Sequence, residues 1–212
     1  TTDLLAVSNG VIKPSKANFG VSKTLDYSVD LQADGSADTS LKLGYAKSPQ
    51  KLLGVPQQWL ANYTRVHRLA DTTSAGEAVD GFTSLVDATG LPTFGHYFRL
   101  DPGKSTDVTL KSHVPQALQQ GPAVMIAGAP TATSPPSGDV WHYRLLLAKQ
   151  ADLVNTEARV SVQVPDGWRV AGSAAWFRVS GKQVPTSGDG AQVTLATPLK
   201  QDVLLDVVLT KA

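Results

Sequence analysis

The sequence contains no cysteine. That excludes disulfide cross-links, thiol nucleophiles and thiolate zinc sites, and leaves packing and hydrogen bonding to hold the fold. Charge is sparse as well: 17% of residues are Asp, Glu, Lys or Arg, below the usual share of about a quarter. The 19 cations almost balance the 18 anions, and no basic stripe gathers them. Nucleic-acid binding needs clustered cations against phosphate, so it is not expected. Long apolar runs are missing too. The run from Ala123 to Ala127 is far short of the ~20 residues that cross a bilayer. No leader pattern opens the chain. It starts at Thr1 without Met, which reads as a processed or excised form that has lost a leader or membrane anchor.

What is present is apolar material in alternation. Of the 212 residues, 42% are hydrophobic, enough for one large core or two small ones. Leu25, Tyr27, Val29 and Leu31 alternate with Asp26, Ser28, Asp30 and Gln32, a period of two that marks a strand with one face buried. The turn Ala33-Asp34-Gly35-Ser36 follows, then Leu41, Leu43 and Tyr45 alternate in turn, so the segment predicts a β-hairpin. Further strands are expected at 62–69, with Tyr63 and Val66 as anchors, and at 83–87, 96–100 and 106–112. In the last third they are expected at 141–147, 159–164, 168–170 and 203–209, with Trp176, Val179, Val193 and Leu195 buried. Gln116 to Gln120 reads as a single helical turn. Pro and Gly crowd 115–138, which is linker composition, although Ala123 to Ile126 has strand character. Strands punctuated at this spacing predict an all-β chain of two antiparallel, Ig-like β-sandwich domains in tandem: 1–114, a linker over 115–139, and 140–212.

No motif specifies a reaction. The nucleophile elbow and the glycine-rich phosphate loops do not occur. His67, His96, His113 and His142 are not spaced to put two ligands on one face, and they read as ordinary strand residues. Asp26 and Asp30, with Asp38 on the neighbouring strand, read as a solvated sheet face rather than the paired carboxylates of a glycosidase. The pairs Asp34-Gly35, Asp80-Gly81, Asp166-Gly167 and Asp189-Gly190 lack the acidic neighbours of a calcium loop and read as turns. Asn62-Tyr63-Thr64 fits a glycosylation sequon, silent in a bacterial setting. Trp59, Trp141, Trp168 and Trp176, with the tyrosines, read first as core and second as a sugar-stacking platform. No catalytic, cofactor-binding or metal-binding residue is expected, and no cofactor.

Several stretches resemble a known family. They are Asp3-Leu4-Leu5-Ala6-Val7, Lys16-Ala17-Asn18-Phe19, Asp26-Tyr27-Ser28-Val29-Asp30-Leu31 with Asp34-Gly35-Ser36, Asn62-Tyr63-Thr64-Arg65-Val66, and the run from Phe98 to Ser105. Farther on come the run from Trp141 to Gln150 and Val164-Pro165-Asp166-Gly167-Trp168. In this order they are similar to the C-terminal extracytoplasmic part of the bacterial DUF4012 family, membrane-anchored envelope proteins of unknown biochemical function. The resemblance spans most of the chain apart from the Pro-rich segment. It implies a place outside the membrane, in the envelope or secreted, beside surface-polysaccharide machinery, with membrane attachment only through an anchor outside this chain. It transfers no catalytic residue, because the matched positions are strand and turn positions. The expected function is a non-catalytic structural or interaction module whose partner is another envelope protein or a glycan. The alternatives are a carbohydrate-binding module using exposed aromatics and a glycan hydrolase.

Overall fold

The computed structural model describes residues 2–12, 18, 20–51, 54, 56, 58–69, 71–74, 81–86, 90–121, 140–149 and 156–211. Among these the regular elements are strands. In chain order they are β1 Asp3–Val11, β2 Val21–Leu31, β3 Ala37–Lys47, β4 Leu60–Arg68, β5 Thr73–Ser74, β6 Thr83–Val86, β7 Pro92–Leu100 and β8 Ser105–Val114. Then come β9 Leu118–Gly121, β10 Val140–Ala148, β11 Thr156–Gln163, β12 Trp168–Phe177, β13 Gln183–Val184, β14 Thr186–Gly188, β15 Gln192–Pro198 and β16 Val203–Lys211.

They form two sheets. The first has the order β13-β12-β16-β10-β1-β4-β7-β6, with β9 also paired to β10. The second runs β14-β15-β11-β2-β3-β8-β5. The predicted hairpin is there. In β2 the odd positions from Val21 to Leu31 are buried and Ser22, Thr24, Ser28 and Asp30 are exposed. The turn works as its sequence suggests: Asp34 Oδ1 accepts hydrogen bonds from the Ser36 amide at 2.9 Å and the Ser36 hydroxyl at 2.7 Å. Gly35 takes φ 93°, a conformation that costs a residue with a Cβ.

The expectation of two separate antiparallel sandwiches needs correcting. Residues 1–114 and 140–212 share both sheets. In the first, β1 runs parallel to β10, with Asp3 opposite Leu145 and Ala6 opposite Ala148. In the second, β2 runs parallel to β11 from Lys23–Thr156 to Asp30–Gln163. Each segment alone would leave two long strand edges with unpaired backbone groups, and the parallel pairs satisfy both. The cores merge for the same reason: Leu5 and Val7, Leu25 and Val29, Leu145 and Leu147, and Val160 and Val162 belong to one buried cluster. Each such side chain contributes roughly 1.5–3 kcal/mol on leaving water.

Three local readings also change. Residues 118–121 form a strand, not a helical turn, because Leu118 to Gly121 pair with the stretch of β10 that β1 leaves open. Val179 is 83% exposed, since the chain turns at 178–180 before β13. Tyr63 is half-buried, while its neighbours Asn62 and Thr64 are buried; the strand phase puts the even positions of β4 inward. The strand expected at Ala123 to Ile126 and the linker residues 122–139 lie outside the described residues, as does Asp80.

Candidate functional surface

Chemistry-bearing groups are divided between a closed interior and the outward faces of the two sheets, the first of which is itself buried around Val140, Trp176 and Val208. The interior holds a charged cluster. Asp3 on β1 and Arg68 on β4 face inward from neighbouring strands, and their side chains are 0% and 1% exposed. Arg68 Nη2 donates to Asp3 Oδ1 at 3.3 Å and to the Tyr27 hydroxyl at 2.6 Å. The hydroxyls of Tyr27 and Tyr143 each donate to Asp3 Oδ2 at 2.9 Å. Burial pushes both tyrosine hydroxyls well above their usual range, and the Asp3 carboxylate pushes the same way. Burial opposes the charge of Arg68, but the oxygens of Tyr27 and Asp3 outweigh it and hold the guanidinium protonated. Such a cluster fixes the register of four strands. Asp3, Tyr27, Arg68 and Tyr143 are each 2% exposed or less.

A second, neutral network lies farther along β1. Asn9 Oδ1 accepts hydrogen bonds from the Tyr45 hydroxyl, from Asn62 Nδ2 and from the Thr64 hydroxyl, each at 2.8 Å. The sequon asparagine is therefore a core residue, 2% exposed, and closed to a glycan in the folded chain.

The four histidines lie on four strands. His142 Nδ1 meets Asp206 Oδ1 at 2.9 Å, both buried on the outward side of β10 and β16. His113 meets Asp38 at 2.8 Å in the open. His67 bonds Thr93 at 3.0 Å, and His96 lies between Phe82 and Phe98. Among the described residues, no three of His, Asp and Glu converge on a point suited to a metal ion.

The outer face of the first sheet is the more distinctive surface. Tyr63 on β4 stands directly opposite Tyr97 on β7, and Tyr97 is 53% exposed. Gly95, opposite Arg65, makes room for Tyr63: a Cβ at this glycine would collide with the Tyr63 hydroxyl. The tyrosine thus lies along the sheet. The Arg65 guanidinium stacks 5.2 Å from its ring centre, and Arg99 stacks 4.8 Å from that of Trp59. Both arginines are exposed. Arg99 Nε and Nη2 also reach Asp101 Oδ1, at 3.1 and 2.9 Å. Sequence reasoning counted Trp59 and the tyrosines as possible platform residues but passed over the arginines, whose i+2 spacing from Tyr63 to Arg65 was the available signal.

The outer face of the second sheet carries a shallow depression of about 340 Å³, lined by Asp26, Ser28, Arg159, Ser161 and Thr194 among others, with Ser187 on β14 at its rim. Among the described residues Asp26 is its one lining carboxylate, and it pairs with Arg159 at 3.4 Å. The other tryptophans divide: Trp176 is buried, whereas Trp141 and Trp168 are partly buried and meet edge to face at 5.6 Å.

No family model matches the chain, and no curated protein matches it. Among solved structures, a candidate nutrient binding protein of Legionella pneumophila aligns with 99% of this chain and 72% of its own length, at 7% identity and a TM-score of 0.48. An M1 zinc metallopeptidase of Deinococcus radiodurans aligns with 89% of this chain and 42% of its own, at 12% identity and a TM-score of 0.33. The chain thus spans less than half the length of that peptidase. Among the described residues, no helix is long and apolar enough to cross a membrane.

Proposed function

We propose that this chain is a non-catalytic interaction module of a bacterial cell-envelope protein, located outside the membrane, that contacts another envelope protein or a surface polysaccharide. Two Ig-like half-sandwiches, fused edge to edge, present its faces. The observation behind the reading is the separation of polar groups. The groups with perturbed protonation, Tyr27, Tyr143 and Arg68, are sealed inside and partnered with Asp3, whereas the first sheet turns aromatic rings and guanidiniums outward. Perturbed groups in a cleft would argue for catalysis, and these are not in one.

The carbohydrate-binding alternative gains from the opposed Tyr63–Tyr97 pair, whose rings suit the apolar face of a sugar. A glycan hydrolase needs two carboxylates across one pocket, and the depression on the second sheet offers Asp26 alone, already tied to Arg159. The test is binding of the purified chain to envelope extract separated into protein and polysaccharide fractions. Saturable binding to either supports the module. Binding to neither, with turnover of a glycan, overturns it.

A further inference from the structure

We propose that the outer face of the first sheet, along Trp59, Tyr63 and Tyr97, is a binding strip for an acidic polysaccharide, with Arg65 receiving a sugar carboxylate. This rests on the interaction reading and names the ligand class. The first argument is shape. Tyr63 lies over Gly95 with Leu85 beside it and the Arg65 guanidinium 5.2 Å from its ring centre, and Tyr97 opposite it is exposed. The exposed Tyr97 ring, opposite Tyr63 on the adjacent strand, offers apolar surface of the kind pyranose C–H faces stack on. Trp59 is four residues from Tyr63, ~13 Å along an extended chain, so the strip suits a polymer better than a single sugar.

The second argument is charge. The outward positions within β1, β4, β6 and β7 carry no carboxylate. Arg65 is exposed and forms no ion pair among the described residues, whereas Arg99 already shares Asp101. An arginine stacked on a ring keeps its in-plane N–H edge free and pre-aligned, the geometry that takes a carboxylate in two parallel hydrogen bonds. A ring beside a guanidinium that has no ion-pair partner among the described residues matches a sugar that bears an acid.

The experiment is affinity electrophoresis of the full chain through gels containing polygalacturonate, dextran or polyphosphate. Retardation by polygalacturonate, absent with dextran and weakened by salt, is expected. Arg65→Gln and Tyr97→Ala should each weaken it roughly tenfold or more, the loss of one charge-assisted contact or stacking ring. Both side chains are exposed, so thermal unfolding should be unchanged and the variants report binding. Equal retardation by dextran overturns the acidic assignment. Retention by polyphosphate as strong as by polygalacturonate, indifferent to Tyr97→Ala, reduces the strip to plain charge and also overturns it. No retardation in any gel, with an envelope protein still bound, sinks this inference and spares the interaction reading. If that protein is lost as well, both fail.

Discussion

Tyr27 and Tyr143 converge on one atom, each donating a 2.9 Å hydrogen bond to Oδ2 of Asp3. Tyr27 belongs to the second sheet and Tyr143 to the first, and they come from the first and last segments of the chain. One carboxylate oxygen therefore ties sheet to sheet and segment to segment. A hydrogen bond to a charged group contributes about 1.5–3 kcal/mol, so Tyr143→Phe should lower stability by roughly that amount in urea unfolding.

Removing the charge itself should cost more. Asp3→Ala leaves the Arg68 guanidinium buried without its counter-charge, a loss of about 3–5 kcal/mol. The double replacement Asp3→Leu with Arg68→Met, made in a chain that also carries Tyr27→Phe and Tyr143→Phe so that no buried hydroxyl loses its Asp3 acceptor, should recover most of it, because Arg68 Nε already has no acceptor among the described residues and apolar side chains need none. A double variant no more stable than Asp3→Ala would show that the ion pair itself is needed.

The same tyrosines set an alkaline limit. Burial raises both hydroxyls above their unfolded value of about 10. The unfolded chain then releases these protons while the folded chain keeps them, so their contribution is complete below pH ~10 and falls as pH rises beyond it. In a spectroscopic tyrosinate titration of the five tyrosines, Tyr27 and Tyr143 should ionise only as the fold is lost. Tyr27→Phe and Tyr143→Phe should make the alkaline loss of stability less steep. Free ionisation of all five in a chain that keeps its β circular dichroism would refute the buried cluster.

Shared sheets also predict shared unfolding. Trp59 lies in the first segment, and Trp141, Trp168 and Trp176 lie in the last. With one core across both, Trp fluorescence and far-ultraviolet dichroism should report one coincident transition. Two resolved transitions would mean that the β1–β10 and β2–β11 pairs do not couple the halves.

Local pattern carried much of this fold. The alternation at Leu25 to Leu31 and the Asp34-Gly35 turn gave β2, β3 and their connection, because strand phase and turn chemistry reside in neighbouring residues. The parallel pairs that join the segments were not legible, since nothing in β1 or β2 names a partner more than a hundred residues away. The Pro-rich stretch suggested a boundary, yet Leu118–Gly121 within it pair with β10. Asp3 and Arg68 look like surface charges by type, and Tyr27 looks like one more apolar strand position. Only the register, with Arg68 opposite Leu5, brings them together. The outer strip was half legible: its aromatics are visible in the sequence, but their side of the sheet depends on the phase of β4, which the buried Asn62 and Thr64 decide.

Gly95 offers a way to change that strip without touching a ring or a charge. A Cβ here would meet the Tyr63 hydroxyl and ring, and also Leu85 Cδ1 at 2.8 Å, so Gly95→Ala must displace Tyr63 and shift the end of Leu85 as well. Leu85 is anchored on β6, where it pairs with Thr93, whereas Tyr63 can swing toward solvent on its χ1. The expected result is loss of binding to the outer face, with stability lowered by about 1–3 kcal/mol, the range for overpacking. The pair Gly95→Ala with Tyr63→Ala should regain most of the stability, because the Tyr63 clash has gone and only the flexible end of Leu85 must yield, but not the binding. Measured side by side by thermal unfolding and affinity electrophoresis, recovery of stability alone would assign Tyr63 to recognition. Recovery of both would mean that Tyr63 only fills space and that the rest of the strip binds without it.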